Sequence, residues 1–112
     1  MFDVYGISNC DTVKRAISKL NTLGIKFNFI DFKKNPPTIA LLQKWFDQKQ
    51  ELPVNKKGPT FRKIKEEFEQ ASLKKQMQLL IENSSAIKRP IIEKNNQIIF
   101  LGYDELFYNQ LK

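Results

Sequence analysis

Residues 2 to 32 place the strongest limit on how this chain can fold, because they read as a strand, a helix and a second strand separated by short links. Phe2, Asp3, Val4 and Tyr5 alternate as a short strand does, and Gly6 lets the backbone turn after it. From Asp11 onward, Val13, Ala16, Ile17, Leu20 and Leu23 recur at helical spacing, while Lys14, Arg15, Ser18 and Lys19 fall mostly on other faces. Gly24 is placed to end that helix after Leu23. The run from Ile25 to Phe32 is rich in aromatic and β-branched residues, is apolar on both faces, and reads as an interior strand. A strand, helix, strand unit sets its two strands parallel.

The middle of the chain changes to helical patterns. The Asn-Pro-Pro-Thr stretch at 35 to 38 breaks the chain and leaves Thr38 as a cap for a second helix containing Ile39, Leu42, Trp45 and Phe46. A loop over 52 to 60 follows, with Thr60 predicted to cap a third helix carrying Phe61, Ile64 and Phe68. Ser72 then begins a fourth with Leu73, Met77, Leu80 and Ile81. Near the end, the runs 91 to 94 and 97 to 101 flank Asn95-Asn96, two residues that tolerate positive φ, which is a hairpin signal. Gly102 ends the second run, and Asp104 can cap a last helix through Leu106, Phe107 and Leu111. The expected architecture is α/β (α+β): a four-stranded mixed sheet in which a helical insertion, 34–84, separates a βαβ half, 1–33, from a ββα half, 85–112. With 112 residues, 41% of them hydrophobic, one core is affordable and a second independent domain is not expected.

The chain has one cysteine, Cys10, and no histidine. An internal disulfide, an ordinary zinc site and the Ser-His-Asp and Cys-His nucleophilic systems are therefore all excluded, and no metal is expected. No apolar run reaches the ~20 residues that span a bilayer, and Asp3 so early is unlike a signal peptide, so the expectation is a cytoplasmic protein without a membrane partner. The net charge of +7 would suit an acidic partner, but the basic residues are scattered rather than clustered. They read as solvated faces, and nucleic acid is not an expected partner.

A lone cysteine in a cytosolic protein is most often a small buried hydrophobe. Cys10 differs because Ser8, Asn9, Asp11 and Thr12 surround it, and because it lies where a loop enters a helix. There the unpaired N–H groups and the positive end of the helix dipole favour a thiolate. Asp11 opposes that charge and needs offsetting cations, whereas the Thr12 hydroxyl is placed to donate towards the sulfur. Of nineteen basic residues only Arg15, Arg62 and Arg89 are arginine, the side chain chosen where a planar multi-donor fork is wanted. Arg62 follows Gly-Pro-Thr at a predicted helix start. Arg89 precedes Pro90, which restricts its backbone to extended conformations and permits a cis bond.

Four stretches, YGISNCDTVKRA at 5–16, GPTFRK at 58–63, IKRPII at 87–92 and LGY at 101–103, resemble the arsenate reductase (ArsC-like) and Spx family of thioredoxin-fold proteins. Within it the chain is most similar to the small members with a Cys-Asp-Thr start that are described as glutathione-dependent reductases. The resemblance covers essentially the whole chain and implies a thioredoxin-like fold with Cys10 as the nucleophile. It also implies that Arg62 and Arg89 bind an oxyanion and that Pro90 is cis; Asn9 and Thr12, as neighbours of Cys10, are expected to support the site together with Pro90. No bound cofactor is implied; glutathione is the implied co-substrate, with glutaredoxin as a partner. The chain departs from the arsenate-reducing members in having Gly6 where they carry a histidine, and Phe-Leu-Gly-Tyr-Asp-Glu at 100–105 where they carry a further arginine. It departs from Spx-type regulators, which bind RNA polymerase, in having Val13 where they carry a second cysteine. The expected function is a monothiol reductase acting on an oxidised thiol compound or an oxyanion such as arsenate. The alternative is an Spx-like transcription regulator without an internal redox switch.

Overall fold

The computed structural model describes residues 1–111. In chain order its elements are β1 (Phe2–Gly6), α1 (Asp11–Thr22), β2 (Phe27–Asp31), α2 (Ile39–Lys49), α3 (Pro59–Gln70), α4 (Leu73–Glu82), β3 (Ile91–Lys94), β4 (Gln97–Leu101) and α5 (Glu105–Asn109), with a short 3-10 turn at Ser84–Ala86. Two compact units result, one made of Met1–Lys34 with Arg89–Lys112 and the other of Asn35–Lys88. No helix among the described residues is long and apolar enough to cross a membrane.

In the first unit the four strands lie in the order β2-β1-β3-β4. β1 pairs parallel with β2 and antiparallel with β3, which pairs antiparallel with β4. The sheet is thus mixed, and its connectivity is thioredoxin-like, as expected. One expectation is corrected: β2 is an edge strand, not an interior one, since it pairs with β1 alone among the strands. Its apolar character belongs mainly to one face, where Ile25, Phe27 and Phe29 pack on the core, while Lys26 and Asn28 are exposed. Asn95 and Asn96 take φ of 54° and 63°, the left-handed pair that turns a two-residue hairpin.

Phe2 and Val4 of β1, Ala16 and Leu20 of α1, Ile92, Tyr108 and Leu111 form the core on one face of this sheet. On the other face the Tyr5 hydroxyl donates to Oε1 of the fully buried Glu93 at 3.3 Å. Burial, and next the Glu93 charge, hold the Tyr5 phenol protonated well above its ordinary range, so it stays a donor to that carboxylate. The last helix is shorter than predicted, ending at Asn109, and Leu106 is 76% exposed. With Asp104 as cap, Phe107 and Tyr108 turn to the core and Leu106 turns away from it.

Tyr108 is a test of this packing. Its ring meets Phe100, Tyr103 and Phe107 edge-on, and its hydroxyl donates to the buried Gly102 carbonyl at 2.8 Å. Tyr108→Phe keeps the ring contacts and removes only that donor. The expected result is a loss of about 1–2 kcal/mol in chemical denaturation; an unchanged midpoint would show that the hydrogen bond contributes nothing.

The second unit is helical, with α4 packed against α2 and α3. Thr38 accepts the Leu41 N–H at 3.1 Å and Ser72 accepts that of Lys75 at 3.3 Å, both caps as predicted. Thr60 is not a cap: α3 begins two residues earlier, with Gly58 at the cap position and Pro59 as the first helical residue, where its missing N–H is harmless. The stretch read as a loop also holds an antiparallel bridge, Val54 with Ile87, flanked by hydrogen bonds from Asn55 N to Ala86 O and from Lys88 N to Pro53 O.

Candidate active site

After β1 the chain turns sharply, and the Cys10 N–H closes the turn on the Ile7 carbonyl at 3.1 Å. The Cys10 carbonyl then accepts the Lys14 N–H at 2.9 Å, the first bond of α1, so Cys10 itself is the helix cap residue. Ser8 and Asn9 are the exposed residues of the turn, and Cys10 is half-buried. Its side chain makes no capping hydrogen bond of the kind Thr38 makes. A neutral thiol accepts poorly, whereas a thiolate in the same place draws on the helix-start N–H groups.

Those groups decide the ionisation. Burial pushes the Cys10 thiol up, but the Val13 N–H, the Arg89 guanidinium by hydrogen bond and by charge, and the Thr12 N–H together bring it below the ordinary thiol value. The opposing influence is burial rather than the charge of Asp11, which is exposed. Thr12 contributes its backbone N–H, not the hydroxyl that the sequence suggested. Val13 had signalled only a core position, yet its N–H is the largest lowering influence. The signal for it was present in the helix start, whose first N–H groups have no partner within the helix.

Arg89 reaches Cys10 because of the strand register. Tyr5 of β1 pairs antiparallel with Ile91 of β3, so the chain leaving β1 towards Cys10 and the chain entering β3 from Arg89 lie at the same end of the sheet. The Arg89–Pro90 peptide bond is cis, and the buried Pro90 accepts the Gly102 N–H on its carbonyl at 2.8 Å. Cys10, Thr12 and Arg89 are therefore brought together, with Asn9 beside them in the exposed turn. Arg62 belongs to the helical unit, where it stands exposed in the first turn of α3 with its N–H on the Gly58 carbonyl at 3.3 Å. Two hollows of that unit, about 220 and 410 Å³, share Lys56, Phe68 and Gln76, and Arg62 lines neither.

The chain as a whole has relatives among known proteins. Residues 5–111 match the sequence profile of the ArsC family. An uncharacterised protein of Haemophilus influenzae is 33% identical over 110 residues, 96% of either chain. A solved structure of a possible arsenate reductase from Streptococcus mutans is similar with a TM-score of 0.78 and 31% identity, over 92% of this chain and 91% of that one. An ArsC-related protein from Brucella melitensis gives a TM-score of 0.75 and 29% identity, over 96% of this chain and 91% of its own.

Proposed function

The chain belongs to the ArsC family, and from that premise we propose that it is a monothiol, glutathione-dependent reductase whose nucleophile is Cys10. The observation that carries this reading is the only cysteine of the chain at the start of α1, beside Arg89 and with its thiol lowered. A lowered thiol is a thiolate over more of the neutral range and attacks faster there.

On a glutathione mixed disulfide the Cys10 thiolate attacks the glutathionyl sulfur. A bond forms between the two sulfurs, the substrate's own sulfur departs as a thiolate and takes up a proton, and Cys10 is left glutathionylated. With no second protein thiol to resolve that adduct, a glutathione thiolate attacks it, releasing oxidised glutathione and restoring Cys10. Two glutathionyl groups thus leave as one disulfide, and the substrate gains the electrons. Arg89 stabilises the thiolate both as it arrives and as it departs. An oxyanion such as arsenate is the less favoured substrate, because Gly6 and the 100–105 stretch supply no further cationic group to hold it.

The test is NADPH-coupled turnover with glutathione, glutathione reductase and glutaredoxin, run in parallel on a glutathionylated peptide and on arsenate. The expected result is NADPH consumption that depends on this protein, faster with the peptide. Turnover of neither would overturn the reading and favour a regulator that docks on RNA polymerase.

A further inference from the structure

Gly6 closes the row Phe2, Val4, Gly6 on the β1 face that meets α1, and it is buried. It does not have positive φ, so any residue could hold its backbone, and what the position demands is the absence of a side chain. A Cβ placed there would lie 2.8 Å from Val13 Cγ2, 3.2 Å from Val13 Cγ1 and 3.6 Å from Phe29 Cε1. The first distance is closer than carbon atoms pack. Val13 is fully buried in the first turn of α1, and a β-branched side chain in a helix has essentially one χ1 rotamer, so it cannot swing aside. β1 cannot retreat easily either, since the Gly6 carbonyl accepts the Phe32 N–H at 2.8 Å and Gly6 pairs with Asp31 in the sheet. The displacement would fall on the first turn of α1, which carries the Val13 and Thr12 N–H groups that favour the Cys10 thiolate.

We propose that Gly6 is a positioning residue for Cys10: the missing side chain lets Val13 seat the first turn of α1 against β1, and that seating aims the Val13 and Thr12 N–H groups at the sulfur. The inference rests on the reading of Cys10 as a working thiolate. It makes the Gly6 and Val13 pair a mechanical spacer for the nucleophile, independent of any substrate.

The test is the rate of Cys10 alkylation by iodoacetamide against pH, free of background because no other cysteine exists. Gly6→Ala is expected to move the midpoint to higher pH and to slow alkylation about three- to tenfold below it. In Gly6→Ala/Val13→Ala the crowding methyl groups are gone and the backbone N–H remains, so the midpoint returns to the wild-type position. A folded Gly6→Ala with an unchanged midpoint would overturn the proposal, as would a double variant as impaired as the single one. Should Gly6→Ala alone not fold, the double variant decides, a wild-type midpoint supporting the spacer and a raised one refuting it. A wild-type midpoint at or above that of free cysteine would instead refute the thiolate reading, which keeps the two failures distinct.

Discussion

Cys10→Ser is expected to reduce glutathione-coupled turnover to background, a loss on the order of 10⁴-fold or more, while leaving the fold intact or slightly firmer. The two halves of that expectation have separate causes. Serine offers no sulfur with which to form the mixed disulfide, so the covalent step is removed rather than slowed. At the same time residue 10 is the cap of α1 and its thiol makes no capping hydrogen bond, whereas serine is among the preferred residues there. The neighbouring amides that serve a thiolate would serve a hydroxyl oxygen instead. Steady-state NADPH consumption and urea denaturation on the same preparation check both halves. Residual turnover well above background would remove Cys10 from the chemistry. A variant that kept its full biological effect with no turnover would turn the protein from an enzyme into a binding module.

Much of this site was legible in the sequence because it depends on local rules. The helical spacing of Val13, Ala16 and Leu20, the caps at Thr38, Ser72 and Asp104 and the Asn95-Asn96 turn each follow from one short stretch, and each forms as read. What escaped depends on partners distant in sequence or on atoms that side-chain letters do not describe. Periodicity reports which faces of a strand are apolar but not how many neighbours it has, so β2 read as interior although it lies at the edge. The Val54 and Ile87 bridge joins two single positions with no alternation around them. The Val13 N–H is a donor that every non-proline residue owns, and only its place at a helix start makes it distinctive. The meeting of Arg89 with Cys10 rests on the register of β1 with β3, which family resemblance could suggest and periodicity could not.

Arg89→Ala is expected to raise the Cys10 thiol and slow its alkylation roughly tenfold or more at a pH below the free-thiol value of about 8.5. Arg89 acts on the sulfur both by hydrogen bond and by charge, and alanine removes both. Arg89→Lys, which keeps the charge without the planar fork, should fall between alanine and wild type. The same coupling has a thermodynamic consequence with a definite sign. In the folded chain the thiol lies below its unfolded value, so between those two values the unfolded chain binds more protons and stability rises with pH. That contribution is complete above the unfolded value and is lost as pH falls through the folded one. Denaturation midpoints measured from about pH 5 to about pH 9 contain it together with every other titrating group, and Cys10→Ser supplies the background to subtract. After subtraction the wild type should gain stability across the window and Arg89→Ala should gain less. On the Cys10→Ser background, Arg89→Ala should leave the pH slope in this window unchanged, because the group it tunes is gone. A slope that Arg89→Ala alters equally with and without the thiol would assign Arg89 to the packing at the start of β3 rather than to the nucleophile.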